Sequence, residues 1–307
     1  MPSSNVIQFP VRQIGGERPK HGADDRLVKR ITCAMDAVLL AGAVSLFAVF
    51  FLKINAPIEH PLMGSYSTEK GQHACWQLPD QSELCLNTHS AARYTYSRQA
   101  RNLELLYGEA AVTVQKDSRP LELLSGSLLT RDVSTAFNVY RNGGLSVMTV
   151  VAGSVKARVA DQQTHRQFEL AQPESGWDTV TKFHQLQQVE LDESTGALRE
   201  RPALTATELS QLLSWKRGMI STQGKSLNQL LEEFSRYQPI GHFNISDPEL
   251  AQLRNFKGDV DATDLMGFLK ALGTVYGIQN TLSRGPDGET VVNLSRGPNF
   301  KGRSKGK

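Results

Sequence analysis

Cysteine is scarce in this chain, with three in 307 residues, too few to staple a disulfide-built fold. No Cys-x-x-Cys pair occurs. The seven histidines are scattered, without the His-x-His or His-Glu-x-x-His spacing that sets two imidazoles on one metal. No Gly-x-Ser-x-Gly elbow is present to expose a nucleophilic serine. Gly224-Lys225-Ser226 resembles the end of a phosphate-binding loop, but the preceding Gly218 stands one residue too far upstream, so Ser226 reads as a helix cap. Glycine and proline follow no repeat that would suggest collagen, and 39% hydrophobic with 21% charged residues is ordinary for a folded chain. These absences leave no support for an enzyme, a metal site or a cofactor, and none of the three is expected.

Positive charge is present but misplaced for nucleic-acid binding. The net charge is +3, yet residues 1–30 alone carry +3 and residues 296–307 carry +5, which leaves −5 for everything between. A mildly acidic body offers no basic face to grip a phosphate backbone, so no nucleic acid is expected as a partner.

One long hydrophobic run stands out. From Ile31 to Leu52 the only charge is Asp36. At about 1.5 Å per residue such a helix spans roughly 33 Å, enough for a bilayer core. A buried core helix and a cleaved signal peptide are the rival readings. Against the first, the run is apolar all round. Against the second, nearly 30 residues precede it and no small-x-small site follows Leu52. An uncleaved transmembrane helix over 31–53 is the expectation. Six Lys/Arg lie before it, and only Lys53 and Lys70 lie close after it, which places the N-terminus in the cytoplasm and the body outside.

Downstream, residues 72–190 alternate in short runs such as Glu83-Leu-Cys-Leu, Ala111-Val-Thr-Val and Ser146-Val-Met-Thr-Val-Val, punctuated by Pro79-Asp80, Gly108, Arg119-Pro120 and Asn142-Gly143-Gly144. Strands about ten residues apart predict an all-β sheet or sandwich with no helix in it, Gln167-Phe-Glu-Leu included among the strands. Cys75 and Cys85 flank the turn Pro79–Ser82 with equal parity. In a hairpin they share one side of the sheet, open to a cross-strand disulfide or to two free thiols.

The pattern changes after Pro202. Thr205-x-x-Glu208 is a capping box ahead of Leu209, Leu212 and Leu213. Two helices then repeat at an offset of 38 residues. Leu227, Leu230, Leu231 and Phe234 follow Ser226-x-x-Gln229, and Leu265, Phe268, Leu269 and Leu272 follow Thr263 or Asp264. Each helix leads into a strand-like run, and Asp287-Gly288 closes a hairpin. The reading is a strand–helix–strand unit repeated into a small α+β domain, its leucine and phenylalanine stripes forming the core and its edge strands open to a partner.

Several short motifs then line up. Leu78-Pro-Asp-Gln-Ser82, Leu86-Asn87, Arg101-x-Leu-x-Leu105-x-x-Gly108-Glu109-Ala110, Val114-x-x-Asp117-x-Arg119-Pro120, Thr135-x-Phe137-Asn138-Val139 and Val151-x-Gly153-Ser154-Val155 resemble, in order, the FecR family of transmembrane sensors and anti-sigma regulators. Trp215-x-x-Gly218, Leu227, Arg236-Tyr237 and Phe256-x-Gly258 resemble its C-terminal secretin/TonB short N-terminal (STN) domain. The resemblance implies an inner-membrane signal transducer whose periplasmic body meets the signalling domain of a TonB-dependent outer-membrane receptor in iron uptake regulation, and whose cytoplasmic tail controls an extracytoplasmic-function sigma factor. It marks Arg236 and Tyr237 as candidate partner-binding residues.

Two departures open alternatives. Only about 30 polar residues, without tryptophan, precede the anchor, whereas the family carries a folded sigma-binding domain there. The second reading is therefore an envelope scaffold that keeps the exported domains without anti-sigma activity. Some members self-cleave at a Gly-Thr bond. Here Ser134-Thr135 occupies that position, and the serine Cβ opposes the close approach an acyl shift needs, so Thr135 reads as a strand residue. The expected organisation is a 1–30 cytoplasmic tail, a 31–53 transmembrane helix, a 54–71 linker, a 72–195 all-β FecR-like domain, a 203–216 connecting helix, a 217–296 STN-like α+β domain and a 297–307 basic tail.

Overall fold

The computed structural model describes residues 61–132, 134–169 and 176–301. The tail expected over 1–30, the membrane span over 31–53 and most of the basic C-terminal tail lie outside the described residues. Among those described, no helix is long and apolar enough to cross a membrane.

Thirteen strands come first: β1 (Leu62–Thr68), β2 (Ala74–Gln77), β3 (Glu83–Leu86), β4 (Ser90–Tyr96), β5 (Arg101–Thr113), β6 (Leu121–Ser125), β7 (Leu128–Asp132), β8 (Ala136–Asn142), β9 (Leu145–Ala152), β10 (Ser154–Val159), β11 (Lys182–His184), β12 (Gln188–Asp192) and β13 (Ala197–Arg201). The long strand β5 joins them all. Its first half pairs with β4 and β6, and its second half with β3 and β8. From β6 the ladder runs through β7 and β10 to β11, and from β8 through β9 and β12 to β13.

The bend in β5 has a local cause. Ala91 pairs with Tyr107 and Ala92 with Leu105, so Leu106 is an extra, bulged residue. Two residues on, Gly108 has φ +86°, and a Cβ there would lie 2.2 Å from Ser90 Oγ and 2.6 Å from the His89 carbonyl oxygen. Only glycine turns this corner. Inside the bend Leu84, Leu86, Leu103, Leu105, Leu123, Phe137, Val139, Met148 and Val189 pack into one core.

The sequence reading fails at three places here. The stretch expected as linker contains β1, which pairs residue by residue with β4. Tyr66 holds it down by stacking on Trp76 at 4.7 Å between ring centroids. The β region also runs past residue 195, because β13 closes a hairpin with β12. Finally, Gln162–Glu169 is a helix, α1, where strand was expected. Asp161 caps it by accepting from the Thr164 N–H at 2.7 Å, and the buried Thr164 and Phe168 are four residues apart on one face.

The remainder alternates helix and strand: α2 (Ala206–Leu212) with a 3-10 turn (Leu213–Arg217), β14 (Met219–Ser221), α3 (Leu227–Tyr237), β15 (His242–Ile245), α4 (Pro248–Ala251), β16 (Asp259–Asp261), α5 (Leu265–Ala271) with a π turn (Leu272–Tyr276), β17 (Ile278–Arg284) and β18 (Thr290–Arg296). Both capping boxes are formed, Thr205 with Glu208 and Ser226 with Gln229. All eight stripe residues of α3, α5 and the π turn are buried in one cluster, where the Phe234 and Phe268 rings stack at 4.8 Å. β14 pairs with β16, and β15, β18 and β17 form a second small sheet in that order.

Candidate functional site

The quoted motif residues are far apart in sequence but converge in two polar networks. The first surrounds Arg101, whose side chain is fully buried on Asp80, also buried. Arg101 Nε donates to the Arg119 carbonyl at 2.9 Å, and Nη1 donates to the Gln115 carbonyl at 3.1 Å. Arg119 is held by Asp117 at 2.6 Å, and its guanidinium keeps the Asp117 carboxyl far below the usual carboxylate range. Burial, then the Asp80 charge, pushes the Tyr96 hydroxyl well up. The network ties three loops of the β region together, and among the described residues Arg101 Nη2 is left buried in it without a hydrogen-bond partner.

The second network joins the β region to helix α3. Glu109, on the far side of the β5 bend, is buried. It accepts from Asn87 Nδ2 at 2.8 Å, Asn138 Nδ2 at 3.1 Å and Arg236 Nη2 at 2.7 Å. The Arg236 guanidinium also lies 4.8 Å over the Tyr140 ring. Its backbone carbonyl accepts from Thr88 Oγ1 at 3.1 Å. Next to it, Tyr237 donates its hydroxyl to Asn87 Oδ1 at 2.9 Å.

Burial works against the charge on Arg236, but Glu109, Glu233 and Tyr237 outweigh it and leave the guanidinium more basic than usual. Burial pushes the Tyr237 hydroxyl up to about 12, against the opposing pull of Arg236 and Asn87. A buried carboxylate is tolerated when it is paired and its oxygens are bonded, which these three donors achieve. Arg236 and Tyr237, expected to receive a partner, are therefore turned inward onto the β region.

A second contact lies beside the first. Cys75 and Cys85 are paired across β2 and β3 and joined by a disulfide, with Cα atoms 4.0 Å apart. Trp215 packs on Cys85 and Ala111, and Lys216 reaches Glu83 at 3.0 Å. Cys75, Glu83 and Cys85 hold their donor atoms within 4.8 Å of one another, but the two sulfurs are bonded to each other and offer no thiolate. A cavity of about 210 Å³ between the contacts is lined by Glu109, Asn138, Thr149, Gln188, Trp215 and Arg236.

Ser134 and Thr135 sit just ahead of β8, where both backbone N–H groups donate to the Asp132 carboxylate, at 3.3 and 2.8 Å. Among the described residues the Thr135 hydroxyl is buried without a hydrogen-bond partner. Its methyl group fills the space a Cβ at Gly153 would need, 2.5 Å away.

Reading the sequence put Asn87, Glu109 and Asn138 into motifs without showing that they meet. Nothing in a local pattern couples Glu109 to Arg236, 127 positions later.

Residues 64–156 match the model of the family described as FecR protein. No curated protein matches the chain. The fold is similar to two crystal structures, at 1.65 and 2.50 Å resolution, of a protein from Parabacteroides distasonis ATCC 8503 assigned as an anti-sigma factor. Their TM-scores are 0.53 and 0.51 at 19% and 20% identity, and each alignment covers 76% of this chain and 99% of the other. The polar networks at Asp80–Arg101 and Asn87–Glu109–Asn138 thus fall within a region that matches the FecR family, in a fold shared with the Parabacteroides protein over about three quarters of the chain.

Proposed function

We propose that this chain is a single-pass inner-membrane regulator of the FecR type, with its N-terminus in the cytoplasm and its β-rich body in the periplasm. The body receives a signal from the signalling domain of a TonB-dependent outer-membrane receptor. The cytoplasmic segment passes it to an extracytoplasmic-function sigma factor, without enzymatic chemistry of its own. The match over residues 64–156 carries this reading. The likeness to a protein assigned as an anti-sigma factor and the uncharged run Ala37–Leu52 just upstream support it.

The junction around Glu109 gives such a relay a physical form. Helix α3 is joined to the β region by an ion pair, a cation–π contact and the Tyr237 hydrogen bond, rather than by a large shared apolar core. A polar contact of that kind, unlike a large apolar one, permits relative motion of the parts it joins.

The test is affinity capture with the full-length chain from membranes of its own cells, followed by identification of any bound sigma factor. Recovery of an extracytoplasmic-function sigma factor, lost when residues 1–30 are deleted, is the expected result. If none is recovered, sigma control is wrong and an envelope-interaction role takes its place. A reporter active only outside the cytoplasm, fused after residue 60, should give signal. A silent fusion there, with an active one before residue 30, overturns the topology.

A further inference from the structure

The three-stranded sheet has two edges, and they are not equivalent. β15 is four residues long and runs directly into α4, whose cap is Asp247. β17 is seven residues long and carries neither proline nor bulge.

The direction of its main-chain groups follows from two flanking hydrogen bonds. Gly285 N–H donates to the Glu289 carbonyl, and Gly297 N–H donates to the Gly277 carbonyl, both between residues directly opposite in the register. In an antiparallel ladder the directly bonded pairs alternate. Positions 279, 281 and 283 therefore bond inward to β18, and the N–H and C=O of Asn280, Leu282 and Arg284 point off the edge. Among the described residues nothing bonds those outward groups.

The side chains complete the pattern. Leu282 stands opposite Val292, which is fully buried on the helix-covered face, so both belong to that face. Yet Leu282 is 54% exposed. The helices cover β18 and the start of β17, where Ile278 is buried and Asn280 Nδ2 donates to the Leu269 carbonyl at 3.4 Å, but they stop short of Leu282, leaving the apolar face open there. The charge on β17 and at its start is positive. From Leu265 to Pro286 there are two cations, Lys270 and Arg284, and no acid. Lys301 is fastened beside the start of the strand by its N–H to the Tyr276 carbonyl at 2.9 Å. Asp287 and Glu289 lie in and after the turn at the far end, and Glu289 faces His242 at 3.3 Å.

We propose that β17 is a docking edge for an extended segment of a partner protein, with apolar residues at alternate positions and acidic residues at its ends. The segment adds a fourth strand, bonds Asn280, Leu282 and Arg284, and covers Leu282. The inference stands on strand geometry and not on the proposed regulatory role, so peptide binding and sigma-factor capture can fail separately.

The probe is a fluorescein-labelled seven-residue peptide of alternating threonine and valine with aspartate at both ends, titrated by anisotropy against the full-length chain. Binding should slow amide exchange at positions 280, 282 and 284, while 281 and 283 are protected already. Leu282→Pro removes an N–H the sheet does not use and should weaken binding by about tenfold or more with thermal unfolding unchanged. The peptide with lysine ends should bind more weakly, with the gap closing in high salt. If the Leu282→Pro variant fails to fold, the exchange pattern of the unaltered chain decides. No binding, protection elsewhere, or equal affinity for the lysine-ended peptide overturns the proposal.

Discussion

The β region and the α+β region are held together by different means. In the first, the core residues come from strands more than a hundred positions apart, and its loops are tied by the buried Asp80–Arg101 pair. In the second, the core is built around two stripes at helical spacing, each placed by its own cap. A network of buried charges has little tolerance for the loss of one member, whereas an apolar stripe loses stability in proportion to what is cut away.

That contrast is open to test. Arg101→Ala leaves the Asp80 carboxylate buried and unpaired and should cost about 3–5 kcal/mol in denaturant unfolding. An added Asp80→Ala should recover part of the loss, because it removes the stranded charge. Failure of the double variant to recover would mean that the pair matters mainly through its loop hydrogen bonds. Phe234→Ala, in the fully buried stack with Phe268, should cost a similar 3–5 kcal/mol by opening a cavity. No second change should rescue it, since no charge is left behind.

The junction between the regions responds to pH. Burial pushes the Tyr237 hydroxyl from its ordinary value of 10.0 up to about 12 in the folded chain, so folding favours its protonated form. This contribution is fully present below pH 10 and is lost as pH rises from 10 towards 12. Over that window the linkage amounts to about 2–3 kcal/mol. Tyr237→Phe should therefore flatten the alkaline decline in stability relative to the unaltered chain. Parallel declines in both would assign it to other groups, Tyr96 among them.

The smallest effect should come from Ser226→Ala, which removes the side chain capping α3 at 3.3 Å. A loss of about 1 kcal/mol is expected. A much larger loss would show that the α+β region also depends on a polar contact as heavily as the β region does.

What could be read along the chain was whatever depends on near neighbours. The caps at Thr205 and Ser226, the stripes from Leu227 to Phe234 and from Leu265 to Leu272, the Asp287-Gly288 turn and the parity of Cys75 and Cys85 all follow from spacing, because helices and hairpins repeat at 3.6 and 2 residues. The α1 helix was missed for the same reason, since eight residues with few apolar positions give periodicity too little to work on. Tertiary structure decided the rest. It turned Arg236 and Tyr237 inward, brought Asn87, Glu109 and Asn138 to one point, made β1 a strand through its pairing with β4, and left β17 as the open edge. Each of these depends on partners dozens of residues away, and the free energy of such a contact exists only once the chain has closed the loop between them.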